Sequence, residues 1–433
     1  MRRGGRTEAD DEPLTHPRTI TFVTGTRAEF GLMVPVLLAI QAHPRLRLQI
    51  VATGMHLDRA HGRSIDAIRA AGFDVAATVP WKPAGADQTE LARQTALASA
   101  KLAETYAELK SDIVLVVGDR VEAFAAASAA HLSGRLVAHV HGGDRALGQV
   151  DDALRHAITK FAHLHFPATQ DSADRIVRLG EDAWRIKLVG SPGIDGIVAD
   201  AWPLPRCVDK ADLRTVGQTF LSVRTGPQPL EVRHTADGRR PIAPHRYALL
   251  LCHPTDADDD IERERASDLF RATLAVPFDH VVVIYPNNDP GSAGVVRLWD
   301  EMRNRKYRML PQQLLRQRFV RNLPRGAFLG LLRDAAVLVG NSSSGIIEAA
   351  SFGTPVIDVG DRQKGRLRGE NVTTVPFRQS AIRAALKAVW NGGSPVRYSH
   401  KNPYGKGGTG RAIARHLANV PMTDKWLRKL ITY

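Results

Sequence analysis

Short apolar runs alternate along the chain with longer segments in which apolar residues recur at helical spacing. A short buried run that ends in Gly, Asp, His or Asn is typical of a parallel strand, and the longer segments are typical of amphipathic helices. The predicted strands are 19–23, 46–51, 112–117, 136–140, 165–168, 247–252, 281–285, 335–339 and 355–359. The predicted helices include 64–71, 89–110, 122–132, 152–162, 381–389 and 410–433, with another starting near residue 27. Such β-α alternation predicts an α/β protein with doubly wound parallel sheets.

The alternation lapses once, in a segment rich in proline, glycine and mixed charges. We therefore predict two domains whose sheets face each other across a cleft. The predicted parts are a disordered N-terminal lead (1–17), an N-terminal domain (18–200), an interdomain segment with an insertion (201–244), a C-terminal domain (245–385) and a C-terminal helical segment (386–433).

Composition narrows the class of protein. The 433 residues are 43% hydrophobic and 24% charged, and only Cys207 and Cys252 are cysteines, which argues against a disulfide framework and a cysteine zinc site. No apolar run approaches the roughly 20 residues of a membrane helix, and residues 1–17 lack the apolar core of a signal peptide. We expect a cytoplasmic protein with no membrane partner.

The net charge of +14 raises the possibility of a nucleic-acid or regulatory protein. The arginines are spread along the chain, however, and aromatic residues make up only 6%. We therefore expect no nucleic-acid partner. A basic balance also suits a small dianionic substrate.

Charged side chains follow the predicted strands of the first domain. Arg27 lies in T-G-T-R-A-E-F, where a guanidinium at a helix N-terminus can hold a phosphate or form a surface salt bridge. Asp119 and Arg120 lie in G-D-R. Asp119 is a candidate general base and Arg120 a candidate phosphate ligand, or the two form an ion pair that fixes the turn.

The densest polar region is H-V-H-G-G-D followed by D-D-A-L-R-H. His141, Asp151 and Asp152 are its candidates for acid–base chemistry, and a metal site is less favoured because no known ligand spacing is present. In the second domain His253 ends a strand before a proline, so it is either a general acid or base or a packed structural histidine.

The stretch 339–360 reads V-G-N-S-S-S-G-I-I-E-A-A-S-F-G-T-P-V-I-D-V-G. It predicts a strand, a polar turn, a helix and a second strand. Ser342 and Ser343 either cap the helix or bind a diphosphate at its N-terminus, and Glu348 could accept hydrogen bonds from ribose hydroxyls. A serine nucleophile is not favoured because the G-x-S-x-G elbow is absent.

Taken together, these motifs resemble the hydrolysing UDP-N-acetylglucosamine 2-epimerase family over about residues 19–415. The resemblance also rests on A-T-G-M-H-L, V-G-S-P-G-I-D, Y-P-N-N-D-P-G-S, G-E-N-V and N-P-Y-G. It implies two Rossmann-like domains of the GT-B type, UDP bound in their cleft by the C-terminal domain, and a homo-oligomer (dimer or tetramer). It also implies that no metal or nicotinamide cofactor is needed.

The resemblance assigns roles to individual residues. Arg27, Ser342 and Ser343 match diphosphate-binding groups, Glu348 the ribose-binding glutamate, and Arg362 an arginine of the nucleotide pocket. The predicted catalytic residues are Asp119, His141, Asp151 and His253. The predicted substrate-binding residues are Arg27, Arg120, Asp152, Asn287, Ser342, Ser343, Glu348 and Arg362.

The chain departs from the family pattern by two substitutions, by one residue inserted before Asp151 and by a longer segment between Pro192 and His253. His141 stands where well-known members have a glutamate that is a principal catalytic candidate, and Asp144 replaces another frequent glutamate. The implied reaction converts UDP-N-acetylglucosamine to N-acetylmannosamine and UDP, which would supply sialic acid synthesis. The alternatives are the same chemistry on a UDP-2,4-diacetamido-2,4,6-trideoxy sugar, which would feed a legionaminic-type acid, or a GT-B glycosyltransferase.

Overall fold

A computed structural model gives the fold. It describes residues 16–57, 64–81, 88–145, 151–203, 242–256, 258–286, 291–303, 316–321, 323, 325–430 and 432. The predicted N-terminal lead (1–17) and the predicted interdomain segment (201–244) lie almost entirely outside the described residues.

The described residues form strands β1 Arg18–Thr24, β2 Leu46–Thr53, β3 Val75–Val79, β4 Ile113–Val117, β5 Leu136–Val140, β6 Leu164–Phe166, β7 Tyr247–Leu251, β8 His280–Ile284, β9 Gln317–Val320, β10 Val337–Gly340, β11 Val356–Val359 and β12 Val372–Val375. The helices are α1 Arg27–Gln41, α2 Ile65–Ala70, α3 Gln88–Glu108, α4 Val121–Leu132, α5 Asp151–Phe161, α6 Gln170–Arg178, α7 Ile197–Asp200, α8 Asp259–Leu274, α9 Ser292–Arg303, α10 Arg325–Asp334, α11 Ser343–Ile347, α12 Gln379–Trp390, α13 Thr409–Asn419 and α14 Asp424–Leu427.

The strands form two six-stranded sheets, with orders β3-β2-β1-β4-β5-β6 and β12-β11-β10-β7-β8-β9. All the strand pairs are parallel. Numbered from its own first strand, each sheet has the order 3-2-1-4-5-6 of a dinucleotide-binding fold. The predicted α/β class with two Rossmann-like doubly wound sheets is confirmed.

The chain divides into two compact units. Of the described residues, those within 1–144, 148–195 and 405–433 form the first unit, and Arg145 with those within 196–404 forms the second. The segment predicted as a separate C-terminal helical part (386–433) is thus divided between the two units. Its helix α13 packs on α1 and contributes Ile413 and Leu417 to the core of the first unit.

Three strands of the structure were absent from the prediction: β3, β9 and β12. All three lie at the edges of their sheets. Side chains of β3 and β12 alternate between exposed and half-buried over much of their length, so these strands lack the continuous apolar run of a central parallel strand. In the part of the chain that the structure describes, no helix is long and apolar enough to cross a membrane.

Candidate active site

The strand order reverses between β1 and β4 in the first sheet and between β7 and β10 in the second. Open α/β sheets bind ligands outside the carboxyl ends of the strands at this switch point. Residues 25–26 and 118–120 follow β1 and β4, and residues 252–253 and 341–342 follow β7 and β10. Each unit therefore carries its own set of candidate residues at its own switch point.

The turn after β1 is held by a capping box. The Thr26 side chain accepts the N–H of Glu29 at 3.3 Å. The Glu29 carboxyl group accepts the N–H groups of Gly25 at 2.9 Å and Thr26 at 3.0 Å. Both exchanges satisfy donors that a helix N-terminus leaves without partners. Arg27 is consequently the first residue of α1, and its side chain is exposed.

Asp119 is held by an arginine from another element. The Arg155 guanidinium on α5 donates to the Asp119 carboxylate and, at 2.9 Å, to the carbonyl oxygen of His141. Arg155 is only 3% exposed. Asp119 is therefore paired with Arg155 and not with its neighbour Arg120, which pairs with Glu122. Arg155 fixes the Asp119 carboxylate beside the loop that carries His141.

His141 lies in that loop with a φ of 63°, a left-handed conformation that is uncommon for a side chain other than glycine. Its Nδ1 is 2.8 Å from the Asp144 carboxylate, and its Nε2 is 3.0 Å from the hydroxyl of Ser191. Ser191 is fully buried, so it is unsuited to attack a substrate. The strained backbone and both ring contacts fix the imidazole in one orientation.

The charge of Asp144 determines the tautomer of the His141 ring. Burial raises the pKa of Asp144, but the charge and hydrogen bond of His141, with Arg155 and the Ser172 hydroxyl, outweigh burial and hold this pKa well below its usual range. An ionised carboxylate only accepts hydrogen bonds, so Nδ1 of His141 must carry the proton. In the neutral ring Nε2 is then the basic nitrogen, as in the histidine of a Ser-His-Asp array.

Helix α5 begins at Asp151, so the predicted acidic pair forms its first turn. Asp152 is 4.0 Å from His156 one turn later, and both side chains are 41% exposed. Arg155 lies on the same helix. The helix therefore carries the ion-pair partner of Asp119 together with the acidic pair.

Arg120 starts the connection to α4 and pairs with Glu122. The Arg120 Nε donates to the Glu122 carboxylate at 3.3 Å. Glu122 is 1% exposed and packs against Gly25, where an added Cβ would lie 2.5 Å from the Glu122 Cγ. The ends of β1 and β4 are thus joined by direct contact at the switch point of the first unit.

In the second unit one buried amide joins the ends of β7 and β10. The Asn341 side chain accepts the His253 N–H at 2.7 Å and donates to the His253 carbonyl oxygen at 2.8 Å. The preceding Gly340 has a φ of 138°, and a Cβ there would lie 1.7 Å from the carbonyl oxygen of Leu251. Only glycine allows this approach, which brings Asn341 to the loop of His253.

The serines of the same turn cap a short helix. The Ser342 hydroxyl accepts the N–H of Ser344 at 3.4 Å and lies 2.7 Å from the Ser344 hydroxyl. Ser343 is the first residue of α11. Ser342 thus caps the helix, which is one of the two roles that the sequence allowed. Its binding of a diphosphate stays a prediction.

Glu348 ends α11 and is bound by an arginine from α10. The Arg325 guanidinium donates to the Glu348 carboxylate at 2.8 Å. Burial raises the pKa of Glu348, and Arg325 opposes this rise. The side chains of Arg362 and Gln363 donate to the carbonyl oxygen of Asn341, at 3.5 Å and 2.9 Å, which further fixes the turn before Ser342.

Asn287, a predicted substrate-binding residue, lies outside the described residues. Within the described ranges no group of three or more His, Cys, Asp or Glu side chains could hold a metal ion.

Comparison with known proteins identifies the family. A sequence model described as UDP-N-acetylglucosamine 2-epimerase matches residues 38–418, which is most of the chain. The chain belongs to the UDP-N-acetylglucosamine 2-epimerase family.

Relatives of this epimerase family member match over nearly its whole length. The UDP-N,N'-diacetylbacillosamine 2-epimerase (hydrolyzing) of Legionella pneumophila is 33% identical over 96% of this chain and 100% of the relative. The UDP-N-acetylglucosamine 2-epimerase of Neisseria meningitidis serogroup B is 28% identical over 94% of this chain and 96% of the relative. The resemblance predicted from the motifs is confirmed at the level of the family.

Solved structures of the same family share the fold. The UDP-GlcNAc 2-epimerase from Neisseria meningitidis bound to UDP-GlcNAc superposes with a TM-score of 0.67 at 18% identity, over 92% of this chain and 99% of that chain. At this identity the likeness establishes the fold alone, and it confirms the predicted GT-B-like class.

Several side chains that organise the epimerase's switch points were not candidates from the sequence. They are Glu29, Glu122, Asp144, Arg155, Ser191, Arg325, Asn341 and Gln363. Five of them bind partners that lie 22 to 88 positions away, namely Arg155, Ser191, Arg325, Asn341 and Gln363. The other three, Glu29, Glu122 and Asp144, bind a partner within four positions. The one usable signal was the capping box T-R-A-E, which predicts that Glu29 folds back on the turn.

Proposed function

We propose that this protein is a hydrolysing 2-epimerase of a UDP-2-acetamido sugar, with UDP-N-acetylglucosamine as the first candidate substrate. The observation that carries the proposal is the fixed pair of groups in the first unit of a chain from this family. Arg155 holds the Asp119 carboxylate, and Asp144 orients the His141 ring with Nε2 as its basic nitrogen. Carboxylates and oriented imidazoles are the groups that proton transfer at carbon needs.

The first step is anti elimination of UDP. The hydrogen at C2 of the sugar is weakly acidic, so the bond from C1 to the phosphate oxygen must break as a base removes the proton. The electron pair of the C2–H bond forms the C1=C2 double bond, and UDP leaves with the C1 oxygen. The products are a 2-acetamidoglucal and UDP, and the base holds the proton.

We assign Asp119, His141 and Asp151 to proton transfer at C2 and C1. An aligned base contributes roughly 10²–10⁴-fold to the rate. The substitution of His141 for a glutamate keeps this capacity once the substrate replaces the Ser191 hydroxyl at Nε2. A neutral ring then offers Nε2 as a base, and the Asp144 carboxylate would stabilise the imidazolium that forms.

The departing UDP needs preorganised donors, since negative charge develops on its diphosphate. We assign this role to Arg27, Arg362, Ser342 and Ser343, each of which lies at the carboxyl end of a parallel strand in its own unit. Each such donor can supply about 3–4 kcal/mol of transition-state stabilisation. His253 donates to, or protonates, the leaving phosphate.

The remaining predicted residues bind the rest of the substrate. Glu348 accepts hydrogen bonds from the ribose hydroxyls, and its ion pair with Arg325 keeps it in place. Arg120, Asp152 and Asn287 complete the substrate-binding set. In the second step water adds to C1 of the glycal, C2 is protonated from the opposite face, and N-acetylmannosamine is released.

A second substrate is supported by one observation. The Legionella pneumophila relative, at 33% identity, is named for UDP-N,N'-diacetylbacillosamine. The second candidate is therefore the corresponding UDP-2,4-diacetamido-2,4,6-trideoxy sugar with the same elimination and hydration.

The test is incubation of the protein with each UDP-sugar in deuterated water. Release of UDP with a manno sugar deuterated at C2 supports the proposal and identifies the substrate. UDP release without deuterium at C2 indicates simple hydrolysis, and transfer only to an added acceptor indicates a glycosyltransferase. Either of these two results contradicts the proposal, and so does a protein that turns over neither sugar.

The assignment of bases has its own test. His141→Ala and Asp119→Ala should each lower kcat by about 10²-fold or more, while UDP still binds. The matched control is His43→Ala, which removes an imidazole from the same unit at the end of α1. If both site variants keep the kcat of the wild type, this assignment is wrong.

A further inference from the structure

Two glutamates of the first unit are buried against the same glycine and have no place in the mechanism above. Glu29 on α1 binds the N–H of Gly25, and the side chain of Glu122 on α4 packs against the Cα of Gly25. An ionised carboxylate is costly to bury without full pairing. Two of them in one place therefore need an explanation.

Glu122 is the more enclosed of the two, at 1% exposure. One oxygen, Oε2, accepts the Arg120 Nε at 3.3 Å. The other, Oε1, has no hydrogen-bond partner among the described residues and lies beside Gly54, where an added Cβ would be 3.0 Å from it. Glycines at positions 25 and 54 are what allow this carboxylate to sit between the ends of β1, β2 and β4.

The contacts of Glu122 reach the two candidate anion-binding arginines of this unit. Arg120 is held directly through its Nε, while its side chain as a whole remains 44% exposed. Arg27 follows the turn at Gly25 on which Glu122 packs. A shift of Glu122 would therefore move the Arg120 guanidinium directly and disturb the turn that precedes Arg27.

We propose that Glu122 is a positioning residue that sets Arg120 and the turn of Arg27 for the substrate's anionic group, and that the two carboxyl groups buried against Gly25 share one proton. This inference rests on the proposed function. Burial and the charge of Glu122 raise the pKa of Glu29 to about 7. A neutral Glu29 can still accept its two backbone N–H groups, and it spares the turn a second negative charge.

The other charged groups around Glu29 do not cancel the rise in its pKa. Arg120 lowers its pKa, but less than burial and Glu122 raise it. His56, from the turn after β2, has a pKa lowered to about 4 by burial, with Arg27 adding to the decrease, so it stays neutral near pH 7.

The protonation state is tested by infrared titration, which needs no turnover. The wild type should show the C=O stretch of one protonated buried carboxyl that disappears near pH 7. Glu29→Gln should lack this titration, and Glu104→Gln, an exposed glutamate on α3, should keep it. The absence of the band in the wild type, or its persistence in Glu29→Gln, overturns this part of the inference.

The positioning role is tested by steady-state kinetics of UDP release. Glu122→Ala should raise KM about tenfold or more with a smaller change in kcat. Glu122→Gln keeps the size of the side chain and an acceptor for Arg120, so its KM should lie between that of Glu122→Ala and that of the wild type. If the folded Glu122→Gln and Glu122→Ala variants both keep the wild-type KM, Glu122 has no positioning role. Should the wild type not turn over either UDP-sugar, the proposed function fails while the infrared result still decides the carboxyl pair.

Discussion

The amide of Asn341 offers the sharpest test of how the second unit builds its switch point. Its two hydrogen bonds, of 2.7 and 2.8 Å, hold both backbone groups of His253, and the side chain is fully buried. A neutral hydrogen bond contributes about 1 kcal/mol, and a buried group left without its partner costs about 1–3 kcal/mol. Asn341→Ala should therefore lower the free energy of unfolding by about 2–4 kcal/mol.

Asn341→Asp adds a test with a defined sign. The carboxyl group keeps an acceptor for the His253 N–H, but its second oxygen faces the His253 carbonyl and must be protonated to donate. The folded variant thus binds more protons than the unfolded chain, so its stability falls as pH rises above about 4, the ordinary value for an aspartate. We expect a smaller loss relative to the wild type at pH 5 than at pH 8, by about 2 kcal/mol.

Urea unfolding at both pH values measures these differences, and calorimetry measures the affinity for UDP. Because Asn341 precedes Ser342, we also expect UDP affinity to fall about tenfold, which equals about 1.4 kcal/mol. The control is Gln379→Ala, an exposed amide in the first turn of α12, which should change stability by less than about 0.5 kcal/mol. A loss in Asn341→Ala as small as that of the control, with UDP affinity unchanged, would refute the reasoning.

Three further changes test other contacts. Arg155→Met removes the partner of a carboxylate and should lower the free energy of unfolding by about 3 kcal/mol in urea, with Arg155→Lys recovering part. Gly340→Ala places a Cβ 1.7 Å from a carbonyl oxygen and should lower the free energy of unfolding by about 3 kcal/mol or more, measured by thermal unfolding. The control Gly31→Ala, where nothing lies within 4 Å of the Cβ, should not destabilise the protein. Equal melting temperatures of the two variants would contradict this prediction. Glu29 has a folded pKa of about 7 against an ordinary 4.5, so the wild type should lose about 3 kcal/mol relative to Glu29→Gln as pH rises from 4.5 to 7; parallel stability curves would exclude the shift.

The central strands were predictable because a strand buried on both faces requires a continuous run of apolar residues. Runs such as the one in β4, I-V-L-V-V, are buried on both faces and need no partner information to be recognised. The edge strand β9 reads Q-R-F-V and gives no such signal. The sequence also could not predict that α13 belongs to the first unit, because this depends on packing between α13 and α1, which lie far apart in the chain.

The candidate site was predictable in its parts but not in its pairings. Asp119 and His141 were found because polar residues at strand ends meet at one edge of a sheet. Arg155 was quoted in a motif without a role, since its partner Asp119 lies 36 positions earlier. Cytoplasmic location and homo-oligomeric assembly stay predictions from the sequence.

The return of the C-terminal helix has a consequence for how the protein is made. Helix α13 supplies Ile413 and Leu417 to the core of the first unit, and Gly410 meets α1 so closely that an added Cβ would lie 2.4 Å from the Pro35 carbonyl oxygen. A ribosome therefore releases every residue of the second unit before those that complete the first. Domains usually fold from the N-terminus during synthesis, but here the apolar face of α1 must wait for the last part of the chain. The N-terminal sheet is therefore synthesised first, and its core is completed last.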